Sequence, residues 1–458
     1  MLLAHRFGRN ATTDGFLTAY GVYLVLGLAA QAFRLVVVPK LTRAAADGRL
    51  AGETRAWAFA FLTLSVPVCV VAIAARHPIG DALTNNPVSA HEASRALTFL
   101  VPAAFVQLLA ALLASSLAAL DEYTVAALAW GLGSPLGLVV FAALSGPYGL
   151  ITLAWGVLAG GCATTAILLI ELARHSALLG GPRAPARVGQ RLFELAQGAA
   201  VPLAVQGMYV ISIRLAGGLG VGAQTSLAYA YVFAGTLVSA TASAFSLISS
   251  APLTRRGIDA AGAARHVVHA AWLSLVGTVA ATGIFALVGG RLVGVALGSA
   301  YTGPVGGQLG RLVVYFAPWM VATVAFSVVF PLLFVVDKPA VLLPLAPIPF
   351  ALQVPISLGL RAWLGLDGLA LALGATTALV LVVLLAAISR QMLVLAVTGL
   401  SRVALGLGVL AAAAFGLASL ATSGYTAAAL GFGLYAAALA IIRPSGLREA
   451  VGYVRLLH

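Results

Sequence analysis

Thirteen runs of apolar residues separated by short polar stretches set the plan of the chain. Their approximate limits are 15–38, 56–75, 96–119, 124–144, 150–173, 194–217, 223–250, 267–289, 312–336, 339–360, 367–389, 402–421 and 424–442. At a rise of about 1.5 Å per residue, a helix of about 20 residues crosses a hydrocarbon layer of about 30 Å. Runs of this length with so few charges predict spanning helices, and the whole pattern predicts an all-α polytopic membrane protein with about thirteen such helices. Prolines inside several runs, such as Pro67, Pro135, Pro202 and Pro331, predict bent helices.

The first run has a polar side. Tyr20, Tyr23, Gly27, Gln31 and Arg34 recur at helical spacing and fall on one narrow face. Such a face lines a cavity or packs on polar partners rather than lipid. Two readings stand for Arg34: a cavity cation, or a side chain snorkelling to the nearby surface. Tyr20 likewise serves the cavity or anchors the interface. In the sixth run Gln206 and Arg214 are separated by about 80° around a helix and can border one space. Snorkelling is the alternative for Arg214, because Gly217-Gly218 ends the run just beyond it. Gln107, Gln206 and Gln353 can read a sugar or bond between helices. Asp14, at the entrance to the first run, stands where an acid stabilises a helix start or gates the entrance.

Composition narrows the class. Hydrophobic residues make up 61% of the chain and charged ones 9%, which excludes an ordinary solvated globular protein. The formal charge of +13 would suggest nucleic acid in a soluble chain, but the basic residues here sit between apolar runs as topology signals, so no nucleic-acid partner is expected. One set of loops carries Lys40, Arg43, Arg49 and Arg55; Arg174, Arg183, Arg187 and Arg191; Arg255, Arg256 and Arg265; Lys338; Arg390 and Arg402; and Arg443, Arg448 and Arg455. This richer side reads as cytoplasmic, which places the C-terminus inside and the start of the chain outside. The two cysteines lie in apolar runs and predict no disulfide framework. His266 and His269 lack a third ligand at suitable spacing, and the Gly-rich run 294–310 lacks a phosphate-loop pattern and reads as a connector. No nucleophile–base constellation is visible. The expectation is a transporter without metal or cofactor.

An internal repeat organises the runs. Leu120-Asp121-Glu122-Tyr123 joins the third and fourth, and Val336-Asp337-Lys338-Pro339 joins the ninth and tenth. Gly149-Leu150 opens the fifth and Gly368-Leu369 the eleventh, at nearly the same offset. The predicted division is an N-terminal lobe over 1–178, a basic cytoplasmic linker over 179–192, a C-terminal lobe over 193–390, and two extra helices with a short tail over 391–458. The first lobe has five helices against six in the second. A leading helix is therefore expected to be missing, through a misassigned start or real loss.

Phe7-Gly8, Thr13-Asp14-Gly15-Phe16 and Ala19 resemble the FG…TDAF…A signature of the lipid II flippase family of the MurJ/MviN type, within the superfamily of multidrug and oligosaccharidyl-lipid exporters. Gly149-Leu150 to Gly161 and Gly222 to Tyr231 add to the likeness. The resemblance implies two lobes in a V around a central cavity, with the last two helices forming a groove for a lipid tail. It implies a peptidoglycan or polysaccharide precursor on undecaprenyl diphosphate as substrate, moved across the bacterial cytoplasmic membrane by alternating access. Leu24 to Ala30 and Tyr229 to Phe233 lack the family's cavity arginines. The candidate substrate residues are Tyr20, Tyr23, Gln31, Arg34, Gln206 and Arg214, since arginine suits a diphosphate through its planar fork. Asp14 is the candidate gate. Expected partners are the lipid-linked glycan, membrane lipids and proteins of envelope synthesis. The alternatives are a cation-coupled multidrug exporter, or a non-transporting scaffold of cell-envelope synthesis.

Overall fold

The computed structural model describes residues 2–175, 184–240, 260–335 and 339–457, with side chains left undescribed at 28, 29, 31, 32, 35, 260, 335, 339 and 454–457. The regular structure among them is helical. The helices are α1 Leu2–Phe7, α2 Ala11–Ala46, α3 Leu50–Ala74, α4 Arg76–Leu83, α5 Pro87–Ala118, α6 Tyr123–Tyr148, α7 Ile151–Arg174, α8 Val188–Ala216 and α9 Ala223–Val238. They continue with α10 Ala260–Leu297, α11 Gly303–Tyr315, α12 Ala317–Val335, α13 Leu342–Leu345, α14 Pro347–Ile388, α15 Arg390–Ala421, α16 Gly424–Ile442 and α17 Ser445–Leu457. Among the described residues 10 helices are long and apolar enough to cross a membrane. The protein is a multi-pass membrane protein.

Every predicted apolar run coincides with helix over its described part. The seventh run is followed as α9 and a short π-helical turn, and its stretch beyond 240 lies outside the described residues. So do Arg183, Arg255, Arg256 and the Asp337-Lys338 landmark. Two details differ from the sequence reading. The tenth and eleventh runs are two helices, as expected, but no loop parts them: the tenth begins in the 3-10 turn Pro339–Val341 and α13 and ends in the first part of α14, the eleventh is the second part of α14, and the two meet at Gly365, where φ is 59° and ψ is −126°. A residue with a Cβ rarely adopts that conformation, so a single glycine redirects the helix without an intervening connector. The Gly-rich run 294–310 is not a connector either. It finishes α10, makes a 3-10 turn over Ser299–Tyr301 and forms most of the first two turns of α11. Its glycines allow backbone contact, since a Cβ on Gly310 would lie 2.7 Å from the Gly290 nitrogen.

Two compact units are distinguished by their internal packing. One comprises Asn10–Thr225 with Leu342–Phe350. Within it α5 packs against α2, α3 and α7, and α8 packs on α2 and α3. Fully buried Ala93, Ala96, Ala103 and Ala104 let the neighbours of α5 come close, and Leu97, Leu100 and Leu117 fill the space between them. Between α6 and α7 the contact is backbone to backbone: a Cβ on Gly137 would lie 2.6 Å from the Gly156 carbonyl oxygen. Thr164 Oγ1 seals the same contact by donating to Ala129 O at 3.2 Å. Lipid solvates apolar side chains as well as another helix does, so close small-residue contacts and interhelical hydrogen bonds hold such a bundle together. Exposed Leu128, Leu132, Leu136 and Val139 on α6 form a face suited to lipid.

The other unit comprises Met1–Arg9, Ser226–Val341 and Ala351–His458. Here α10 packs against α11, α12, α15, α16 and α17. Its core is aromatic: the Tyr231 ring lies 4.7 Å from Trp319 and 5.9 Å from Phe316, and Tyr301 donates its hydroxyl to Gly8 O at 2.9 Å. On the opposite end of α10, His266 Nδ1 lies 3.1 Å from the Tyr453 hydroxyl of α17.

Candidate functional site

The start of α2 is built from its own sequence. Asn10 caps the helix by accepting from the Thr13 N–H at 3.0 Å, and Thr13 Oγ1 accepts from the Asn10 N–H at 2.9 Å. This capping box satisfies the helix start without Asp14. Asp14 is therefore available for another partner. Its side chain is 3% exposed. Its Oδ2 accepts from the Gly222 N–H at 2.5 Å, and its Oδ1 accepts from the Thr225 N–H at 2.8 Å and the Thr225 hydroxyl at 2.6 Å. Gly222 and Thr225 flank the first residue pair of α9. The acid thus caps a helix, but not its own. A carboxylate at a helix N-terminus meets orphan N–H donors and the positive end of the helix dipole together.

Below this cap the polar side of α2 continues. Tyr20 stacks on Tyr23, with ring centres 5.2 Å apart and planes at 28°, and on Phe16 at 6.4 Å. Tyr23 is buried and hydrogen-bonded by the side chain of Gln107 on α5. Gln107 therefore bonds between helices. Gly21, on the opposite side of the same turn, lets the Tyr209 ring of α8 lie close. Arg34 is exposed, and among the described residues it makes no hydrogen bond or ion pair. The Gln31 side chain lies outside those described. Gln206 is half-buried on α8.

Arg214, the other predicted cation, is placed differently. Its Nε donates to Ala82 O at 2.5 Å and its Nη1 to Asn85 Oδ1. Ala82 is in the last turn of α4, where a carbonyl lacks a helical partner and a cation is favoured. Arg214 thus ties the end of α8 to the segment between α4 and α5. Gln224 assists by donating to Ile213 O at 3.1 Å.

A charged cluster at the other end of α2 reads in the sequence only as a topology signal. Arg191 on α8 is 7% exposed and donates Nη2 to Glu53 Oε2 at 2.8 Å and Nε to Ala186 O at 3.0 Å. Its guanidinium lies 4.8 Å from the centre of the Trp57 ring, and Lys40 Nζ lies 5.6 Å from the same ring. Lys40 also pairs with Glu194 at 2.5 Å. The cluster joins α2, α3 and α8. The signal that could have found it is the pairing of acids and bases at helix ends: Glu53 with Arg191, and Lys40 with Glu194. Outside the helices, the hydrogen bond that the exposed Arg49 guanidinium donates to Asp47 raises its pKa above the ordinary arginine value.

No protein-family model matches the sequence, and no curated protein matches it. Solved structures do. The fold is similar to that of the lipid II flippase MurJ in an inward-closed conformation, with a TM-score of 0.74 at 14% identity, covering 96% of this chain and 94% of that one. It is similar to an inward-facing multidrug resistance MATE family transporter of the MOP superfamily, with a TM-score of 0.63 at 14% identity, covering 88% and 97%. It is also similar to the Vibrio cholerae MATE transporter VcmN in its bent form, with a TM-score of 0.52 at 15% identity, covering 86% and 89%. The chain therefore has the fold of these membrane transporters over nearly its whole length.

Proposed function

We propose that the chain is a transporter rather than an enzyme, and specifically a flippase for a lipid-linked glycan or peptidoglycan precursor on an undecaprenyl diphosphate carrier. Alternating access across the bacterial cytoplasmic membrane is the mechanism, with the C-terminus inside. The observation that carries this reading is the polar wall of α2. On a fold shared with a lipid II flippase, it presents two stacked tyrosines and an arginine with no carboxylate partner among the described residues. The wall consists of Tyr20, Tyr23 and Arg34, with Gln206 from α8, and Gln31 shares their spacing in the sequence. Tyrosine rings suit sugar faces, and the planar guanidinium of Arg34 suits a diphosphate. Arg214 contributes by fixing the end of α8 through Ala82 and Asn85. Asp14 is the gating residue of this reading, because its cap controls the beginning of α9.

The acids weigh against the cation-coupled multidrug exporter. Glu53, Glu171 and Glu194 lie near helix ends, and Asp14 is committed to its cap. A cation-coupled exporter ordinarily needs a carboxylate deep in the membrane.

The test is reconstitution into vesicles carrying a fluorescent undecaprenyl diphosphate oligosaccharide. Full-length protein is expected to move it between leaflets, and Arg34→Gln to reduce the initial rate about tenfold, as loss of a charge-assisted phosphate contact implies. Wild-type rates in Arg34→Gln would remove the wall from the mechanism. Proton-dependent efflux of a cationic dye without glycan-lipid movement would favour the multidrug exporter. A folded protein that moves neither would favour the scaffold of envelope synthesis.

A further inference from the structure

The far end of α10 has two recesses that the wall of α2 does not use. Their height in the membrane follows from α16, whose 19 residues span about 28 Å, close to the thickness of a hydrocarbon layer. Tyr425, in its first turn, therefore lies at one membrane boundary. The Arg291 guanidinium lies 5.9 Å from the centre of the Tyr425 ring and packs so closely on Gly424 that a Cβ there would collide with it. Arg291 is thus held at headgroup level.

A cavity of about 580 Å³ opens beside it, lined also by Gly290, Gly294, Thr302 and Gly303. Arg291 is the one charged side chain in that lining, and among the described residues it has neither a carboxylate nor a hydrogen-bond partner. A second cavity of about 630 Å³ is lined by Leu2, His5, Phe233, Phe285, Leu292 and Val295. The exposed side chain of Val295 borders both recesses. Phe285 precedes Arg291 by about 9 Å of helix, away from the membrane boundary and toward the chain region.

A cation at headgroup level, with a recess for its ligand, next to an apolar slot that reaches chain depth fits an amphipathic anion. We propose that the two recesses form a site for one anionic phospholipid, with its phosphate on Arg291 and an acyl chain against Phe285 and Phe233. Bonding of the guanidinium to phosphate oxygens holds the headgroup, the net charge supplies the selectivity because the choline cation of a zwitterionic lipid offsets its phosphate beside Arg291, and the apolar slot supplies affinity for the chain. The site is independent of the transported substrate.

Native mass spectrometry of the delipidated full chain tests this with phosphatidylglycerol and phosphatidylcholine of identical acyl chains. Phosphatidylglycerol is expected to bind about tenfold more tightly, because no choline cation offsets the attraction of its phosphate for Arg291. Arg291→Gln should abolish that preference, whereas Arg291→Lys and the distant control Arg361→Gln should keep most of it. Val295→Trp, which crowds both recesses, should weaken both lipids alike. Equal binding of the two lipids by the wild-type chain would overturn the site, as would an unchanged preference in Arg291→Gln. Glycerol phosphate, which has the headgroup chemistry without chains, should compete poorly; competition equal to that of the lipid would reduce the site to one for a soluble anion. Should Arg291→Gln fail to fold, the wild-type preference and the glycerol phosphate competition still decide.

Discussion

Replacing Asp14 tests whether the buried carboxylate holds the beginning of α9. Asp14→Asn keeps the side chain's size and one acceptor oxygen, but loses the charge and the second acceptor. In the wild type Oδ1 serves the Thr225 N–H and hydroxyl while Oδ2 serves the Gly222 N–H, so one of the two backbone donors is left without an acceptor. A buried donor without a partner costs about 1–3 kcal/mol, and loss of an anion from a helix start costs a further ~0.3–1 kcal/mol. The sum, about 1.3–4 kcal/mol, corresponds to local opening about ten- to a thousandfold more frequent. Hydrogen exchange followed by mass spectrometry on peptides covering 220–228 measures it directly, because the affected amides are the exchanging groups. The expected result is faster exchange confined to this segment and to the start of α2, with α5 and α15 unchanged. Thr225→Val, which removes the hydroxyl donor only, should produce a smaller acceleration. Wild-type exchange at 220–228 in Asp14→Asn would refute the capping role.

Three other expectations follow from the packing and charge arrangement. Glu53→Gln leaves the Arg191 cation buried without its counter-ion and should cost about 3–5 kcal/mol, seen as a lowered unfolding midpoint in detergent, while Glu53→Met with Arg191→Met should recover much of it; additive losses in the double variant would contradict the pair. Gly137→Val should separate α6 from α7 at the Gly156 carbonyl and lower thermal stability by about 1–3 kcal/mol, whereas Gly146→Val, with open space around it, should be nearly neutral; equal stability of the two variants would count against the backbone contact. Gly365→Ala places a side chain at φ 59° and should cost about 1–3 kcal/mol in the same measurement; a midpoint unchanged from wild type would mean that the break tolerates a Cβ.

The helices were legible because each is a long apolar run, and the membrane leaves the backbone few alternatives to a helix. The polar face of α2 was legible for the same reason, since Tyr20, Tyr23 and Arg34 keep the helical period. What the chain does between helices was less readable. The glycines of 294–310 carry no sign distinguishing a loop from a tight helix contact, and only the neighbouring Gly290 backbone decides the matter. Gly365 interrupts α14 by its torsion angles alone. At the site, residue type was informative but partner identity was not. Asp14 reads as a stabiliser of its own helix start, whereas the helix it caps begins more than 200 positions later. Arg214 reads as a membrane arginine, but its acceptors at Ala82 and Asn85 are set by tertiary packing. Arg191 hides among loop arginines until folding buries it against Glu53 and Trp57.

The cap on α9 also imposes an order on biosynthesis. Asp14 and Thr225 are separated by 211 residues. At about 5–20 residues per second, a ribosome needs roughly 10–40 s after making the acid to make its partners. During that interval the capping box of Asn10 and Thr13 has already closed the start of α2, while the carboxylate beside it has no donor from α9 and is better solvated in water than buried. The beginning of α2 therefore stays hydrated while α3 through α8 are inserted, and only the arrival of Gly222 and Thr225 dries it. That last bond marks when the start of α2 has finished folding.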